Sequence, residues 1–218
     1  QARLRFAQPR WSHAMKRSGG FALPTLMVML ALASLAALLA LRHLWVNEQL
    51  LNAETDQLRT LHKAHAALPL AVADIVGASN NSTRHIAGDL TQTHAFFPSS
   101  MAEYNTLRQR LLPNSCNAGI CTPNALQPSA TKASYWKTQT TTALAIPATQ
   151  TPYGDNTAWY WVEIFPQANS SQDNFIYRIT VLANGIMPSS TAVLQAVWAR
   201  TSVTSPTGQW HSWHVLHD

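Results

Sequence analysis

From Phe21 to Leu41 the chain runs 21 residues without a charged side chain. As a helix rising 1.5 Å per residue, such a run spans about 30 Å, the thickness of a bilayer's hydrocarbon core. A helix apolar on every face must be covered on every side, which a single soluble domain rarely arranges. The run therefore predicts a membrane-spanning helix over 21–41. A secretory signal peptide is the nearest competitor. Its apolar region is about 7–15 residues long and ends at a small-residue cleavage site. Here the small residues, Gly19 and Gly20, precede the run. No Gly or Pro separates its end from the polar, helix-compatible stretch of 42–66.

Charge follows the same division. The formal net charge is +5, which invites a nucleic-acid reading. Arg3, Arg5, Arg10, Lys16 and Arg17 all precede the apolar run, and no acid accompanies them. The remaining 10 basic residues balance 10 acidic ones. The rest of the chain has no basic stripe, which argues against nucleic acid as a partner. The leading cations read instead as a topology signal, because Lys and Arg stay on the cytoplasmic side of a membrane helix. Charged residues make up only 11% of the chain, against a usual figure near 25%. That composition suits an exported protein better than a cytosolic enzyme. The sequence opens on Gln1 and reaches its first methionine at Met15. Residues 1–14 read as a stretch upstream of the true start, or the chain as truncated, and they stay outside the fold reading.

The two cysteines, Cys116 and Cys121, have four residues between them. In an oxidising compartment the pair reads as a disulfide closing a small loop. Two reduced buried thiols, or half of a metal site, are the other readings. Zinc is disfavoured because no second Cys pair exists.

Lys16-Arg17-Ser18-Gly19-Gly20 followed by Phe21 resembles the cleavage motif of type IV prepilins and type II secretion pseudopilins. The resemblance implies that a prepilin peptidase cuts after Gly20 and methylates the new terminus, Phe21. It implies an α+β, pilin-like fold. Residues 1–20 become a cytoplasmic leader, 21–41 the transmembrane half of one long helix, and 42–77 its amphipathic half. Residues 78–218 become a periplasmic αβ head. The implied location is the inner membrane, single-pass, and then the pilus. The implied partners are other minor and major pilins through the helix, the prepilin peptidase, the inner-membrane assembly platform and the lipid bilayer. No cofactor is implied. Most members of the family carry Glu at the fifth mature residue, where this chain has Thr25. That carboxylate pairs with the terminal amine of a subunit already in the filament. Thr25 cannot form the pair: it reads either as a tolerated small residue or as the mark of a minor subunit that enters first and sits at the tip. Pro24 suits the first helical turn, where its missing N–H costs nothing.

The helix is expected from about Pro24 to Ala66. Leu44, Leu51 and Leu58 recur every seven residues, with Leu50 and Leu61 beside them, and form the expected packing stripe. Pro69 should kink or end the helix, with at most one further turn before Gly77. Ser100 and Glu103 form a capping-box pattern and predict a second helix over 101–112. Residues 122–157 read as loop, with Tyr135-Trp136 anchoring it. Strand signals cover 159–165, 175–183 and 192–200, and a weaker one covers 210–216. They predict an antiparallel meander of three to four strands whose apolar face packs on the amphipathic half-helix.

The head supports a narrower resemblance. Ser115-Cys-Asn-Ala-Gly-Ile-Cys-Thr-Pro123 is similar to the Cys loop of PilX-type minor pilins, and Tyr135-Trp136-Lys137 to the Trp segment that follows it. Tyr177-Arg-Ile-Thr180 and Ala192-Val-Leu-Gln-Ala196 are similar to their paired C-terminal strands. The implied role is a minor pilin that primes or caps filament assembly, with adhesion, aggregation or DNA uptake as associated roles. A pseudopilin of a secretion system and a membrane-anchored periplasmic enzyme are the alternatives.

Catalytic motifs are missing from the sequence: it has no phosphate loop, nucleophile elbow or zinc-peptidase pattern. His211, His214 and His217 are the one cluster to test for metal. On a strand, His214 would point away from the other two. His62 and His65 share a helix face and read as solvated. Glu163 and Asp173 have no catalytic partner in the sequence; solvation, or pairing with Arg178, is the expectation.

Overall fold

A computed structural model describes residues 22–77, 82–88, 93–111, 115–122, 128–152, 158–167, 174–202 and 205–218. The chain divides into two units, one up to Gln49 and one from Leu50 onward. In the first, the described residues are helical and exposed throughout. They belong to α1, Ala22–Ile75, which is long and apolar enough to cross a membrane.

In the second unit α1 continues to Ile75 and is followed by a left-handed Gly77. Helix α2 spans Met101–Arg110 and α3 spans Ala133–Lys137. The Ser100 cap is formed, and Glu103 reaches back one residue further than a capping box requires, to Ser99. Ser100 Oγ accepts from Glu103 N at 3.3 Å, and the Glu103 carboxylate accepts from Ser99 N at 2.6 Å. Helix α2 ends at Arg110, with Leu111 already extended, so it stops short of the expected Leu112; residues 112 and 113 themselves lie outside the described residues.

The described sheet has seven strands. They are β1 (Cys116–Asn117), β2 (Ile120–Cys121), β3 (Leu144–Ile146), β4 (Ala158–Pro166), β5 (Phe175–Asn184), β6 (Thr191–Arg200) and β7 (Gly208–Leu216). Strands β4 to β7 form the expected antiparallel meander. β3 joins β4 antiparallel, and β2 joins it in parallel. These short strands lie in stretches read as loop. At two or three residues each, they are too short to show an alternating pattern.

Both faces of β4 to β6 are covered. One core joins Ala64, Ala67, Ala71 and Ile75 of α1 to Tyr104 and Leu107 of α2 and to Tyr160, Val162, Ile179 and Leu194 of the sheet. The other gathers Trp136, Trp161, Leu182, Val193 and Cys121. The Trp136 and Trp161 rings lie 5.0 Å apart, and Trp136 Nε1 donates to Ala130 O at 2.8 Å. Tyr135-Trp136 thus anchors its segment through Trp136, as expected. Burial on both faces explains why the strands read as nearly continuous apolar runs.

Two expectations for α1 are corrected. The helix does not end at Pro69 but runs on to Ile75. Pro69 is exposed, so the carbonyl four residues earlier that loses its partner lies on the solvent side. Nor is the leucine stripe the main packed face, since of its members only Leu61 packs against the core. Leu51 and Leu58 remain 63% and 61% exposed, and Leu44 in the first unit 65%. The covered residues are Asp56, Thr60, Lys63, Ala64, Ala67, Leu68, Ala71, Asp74 and Ile75. Small side chains let the helix approach the sheet closely, and the buried charges find fixed partners there.

Candidate functional site

Gly20 and Phe21, the expected processing residues, lie outside the described residues. Pro24 and Thr25 sit in the first turn of α1, exposed. Pro24 there gives up no helical hydrogen bond, since the first four N–H groups have no partner within a helix. The Thr25 hydroxyl donates to Ala22 O at 2.9 Å, so its polarity is turned back onto the backbone. Within hydrocarbon that arrangement satisfies the hydroxyl without a second chain.

Cys116 and Cys121 are bonded to each other. They face one another across β1 and β2, with Asn117 opposite Ile120. Ala118 and Gly119 both take positive φ, 47° and 78°, as a two-residue hairpin turn with right-handed twist demands. Gly119 is required on a second count. A Cβ there would lie 2.8 Å from both Leu144 N and Tyr160 O. Its own N–H donates to Thr142 O at 2.7 Å, and its carbonyl accepts from Val162 N at 2.6 Å. The Cys loop is thus set into the sheet.

A buried polar cluster ties that loop to the end of α1. Arg84, in the 3₁₀ turn Ser82–His85, donates from Nε to Asp74 Oδ2 at 2.8 Å and from Nη1 to Ala118 O at 2.7 Å. The Tyr160 hydroxyl donates to the same Asp74 oxygen at 2.7 Å. The Arg84 guanidinium lies over the Phe97 ring, 5.2 Å from its centroid. Burial, and then the Asp74 carboxylate beside it, hold the Tyr160 hydroxyl far above the ordinary tyrosine range, so it remains a donor. None of Asp74, Arg84 or Tyr160 was singled out by sequence. Asp74 within the run Ala71-Val72-Ala73-Asp74-Ile75 was the available signal, an acid on the small-residue face.

Elsewhere Glu163, 1% exposed, accepts both Nε and Nη2 of Arg178 at 2.6 Å. The pairing expected for Glu163 is present; Asp173 lies outside the described residues. His211 and His214 stand on β7, and His217 follows it. Among the described residues no three His, Cys, Asp or Glu side chains are grouped to hold a metal ion. His65 is not simply solvated: its ring meets Trp213 edge-on at 5.1 Å. These polar clusters hold elements together, with Arg84 Nη2 the one buried nitrogen of the Asp74–Arg84–Tyr160 cluster that lacks a hydrogen-bond partner among the described residues.

The Cys loop sets one more expectation. Replacing Cys116 with Ser should cost the head about 2 kcal/mol, from the entropy restored to a six-residue loop in the unfolded chain. Urea unfolding of the oxidised protein and the variant measures it. A difference near zero would show that the surrounding hydrogen bonds alone fix the loop.

Residues 117–200 match the family model described as type IV pilus assembly protein PilX C-term. No curated protein and no solved structure matches the chain. The match covers the end of the Cys-loop hairpin, the Trp136 segment and β3 to β6. It supports the resemblance read from the sequence: the matched part of the head is similar to the PilX type, and a long apolar helix followed by a mostly antiparallel sheet makes the fold α+β and pilin-like. The role carried by that family is a minor pilin of the type IV pilus, which is structural rather than enzymatic. The apolar N-terminal helix fits membrane anchoring.

Proposed function

We propose that this protein primes or caps a type IV pilus and occupies its tip. One observation carries the reading: the uncharged Thr25 at the fifth position after the Gly20–Phe21 junction. A lone carboxylate in hydrocarbon costs about 2.5–3.5 kcal/mol on insertion scales, which drives an acidic subunit to dock against a free amine. A threonine whose hydroxyl already bonds Ala22 O has no such drive. A subunit of this kind is handicapped beneath another subunit and not handicapped when it enters first. The leader is removed at Gly20, Phe21 becomes the methylated terminus, and the head stands on the periplasmic side. Other pilins pack along the exposed apolar half of α1. A tip position places the head where adhesion, aggregation or DNA uptake would act. The PilX match favours the pilus over a secretion pseudopilin with the same start motif.

Mass spectrometry of the mature protein should find methylated Phe21 at its terminus. Cells lacking the prepilin peptidase should retain the leader. Thr25→Glu should spread the protein from the filament tip along the shaft, as read by immunogold labelling. Wild-type label distributed along shafts would remove the tip assignment.

A further inference from the structure

Arg200, the last residue of β6, is a half-buried cation without an acid. Its Nε donates to Ser205 O, and its guanidinium also bonds the Tyr177 hydroxyl. Arg84 and Arg178, which are sheltered too, each hold a carboxylate, Asp74 and Glu163. Among the described residues no carboxylate pairs with Arg200. On one side it borders a polar hollow where Gln167, Thr201, Gln209 and His211 are exposed, so water solvates that side. On the other it closes a cavity of about 150 Å³ between the end of α1 and the sheet. Ile75, Phe97 and Pro98 give this cavity an apolar floor, and Tyr177 lines it beside Arg200.

The hydrogen bonds around the cavity leave one demand unmet. Val76 N donates to Val72 O, and Phe97 N donates to Arg84 O. Ser99 gives both its N–H and its hydroxyl proton to the Glu103 carboxylate, at 2.6 and 2.7 Å. His85 Nε2 donates to Asp74 O at 2.7 Å, and the Asp74 carboxylate is held by Arg84 and Tyr160. Tyr177 is different. It is 1% exposed, and its oxygen accepts from Arg200, so its own proton has no acceptor among the described residues. Burial pushes the Tyr177 hydroxyl up to about 12, and the Arg200 charge offsets only part of that, so it keeps the proton at neutral pH. A sheltered guanidinium without an anion and a buried O–H without an acceptor are both costly. Both lie on the wall of the same cavity, and both ask for negative oxygen.

We propose that this cavity binds a small organic carboxylate, its oxygens on the Arg200 guanidinium and the Tyr177 hydroxyl and its apolar stem against Ile75, Phe97 and Pro98. Two convergent donors, one of them charged, suit the two oxygens of a carboxylate. A cation would meet Arg200 unfavourably, and a neutral guest would leave its charge unanswered. Phosphate has no apolar part to set against the floor. One water needs about 10–15 Å³ of such space, so the cavity holds a molecule of several heavy atoms and no folded segment. The proposal stands whether or not the protein sits at a pilus tip.

The test titrates butyrate into the full chain in detergent micelles and follows the backbone amide signals by NMR. The amides of Phe97, Ser99 and Arg200 should shift and saturate in the millimolar range, as suits so small a ligand. Butyramide, of the same shape without the charge, should leave them in place. Arg200→Gln should weaken butyrate about tenfold or more, and Tyr177→Phe about threefold, while the Trp136 and Trp161 indole signals of the opposite core stay as in the wild type. Tyr177→Phe keeps the ring in the core and decides the question should Arg200→Gln fail to fold. No saturable shift in the wild type, or undiminished binding by either folded variant, overturns the proposal. Equal shifts with butyramide or with inorganic phosphate overturn the carboxylate assignment.

Discussion

Replacing Arg84 with alanine is expected to cost the head about 3–5 kcal/mol, the usual result of removing one partner from a buried ion pair. The side chains of Arg84 and Asp74 are 5% and 3% exposed, so solvent does little to screen the loss. The variant leaves the Asp74 carboxylate with the Tyr160 hydroxyl as its remaining side-chain donor among the bonds described above. It also frees Ala118 O, and with it one of the attachments of the Cys loop. Urea unfolding at pH 7 measures the first effect. The rate at which dithiothreitol reduces Cys116–Cys121 measures the second and should rise. A double-mutant cycle with Asp74→Ala separates the pair from its surroundings. If Arg84→Ala costs less than about 1 kcal/mol, the pair behaves like a surface salt bridge. The cluster would then not be what ties the Cys loop to the end of α1.

That cluster also marks the limit of what the sequence disclosed. The apolar run, the Ser100 cap and the four long strands were legible because each follows from a local pattern: an uncharged length, a Ser-x-x-Glu spacing, a β-branched and aromatic run. The packed face of α1 was misread because a heptad of leucines outweighs alanines on any hydrophobicity count. Yet Ala64, Ala67, Leu68, Ala71 and Ile75 repeat at helical spacing too, and it is these that the sheet covers. A stripe of small residues signals close approach, and charged residues on that stripe signal buried partners. Asp56, Lys63 and Asp74 lie on it. Their partners, among them Arg84, the hairpin after Asn184, and Tyr160, are distant in sequence, so no local window could pair them. The Cys loop shows the same division. Its spacing implied a disulfide on condition of export, but its insertion beside β4 is a long-range pairing that two-residue strands do not announce.

Asp56→Ala should have an effect of similar size, about 3–5 kcal/mol at pH 7, because it removes the acceptor of two backbone donors and the negative charge that acts on buried Lys63. Asp56 is 6% exposed and accepts from Ile186 N at 3.0 Å and Met187 N at 2.9 Å. Lys63, 1% exposed, donates to Asn184 O at 3.0 Å on the same hairpin. The hairpin reaches the helix only because Gly185 has no side chain. A Cβ there would stand 2.5 Å from Thr60 Oγ1 and 2.6 Å from Asp56 Oδ2. Burial pushes the Asp56 carboxyl up, but the hydrogen bonds from Met187, Ile186 and Ser190 and the charge of Lys63 outweigh it, and the net displacement is downward. A carboxylate held below its unfolded value stabilises the fold fully above that value, about pH 4, and loses the contribution as pH falls through the lowered one. Asp56→Asn keeps an acceptor of the same shape without the charge. The stability gap between wild type and Asp56→Asn should therefore be widest near pH 7 and narrow steadily below pH 4. A gap that stays constant from pH 7 to pH 3 would mean that the carboxylate's charge contributes nothing, and that shape and hydrogen bonding alone hold the β5–β6 hairpin on the helix.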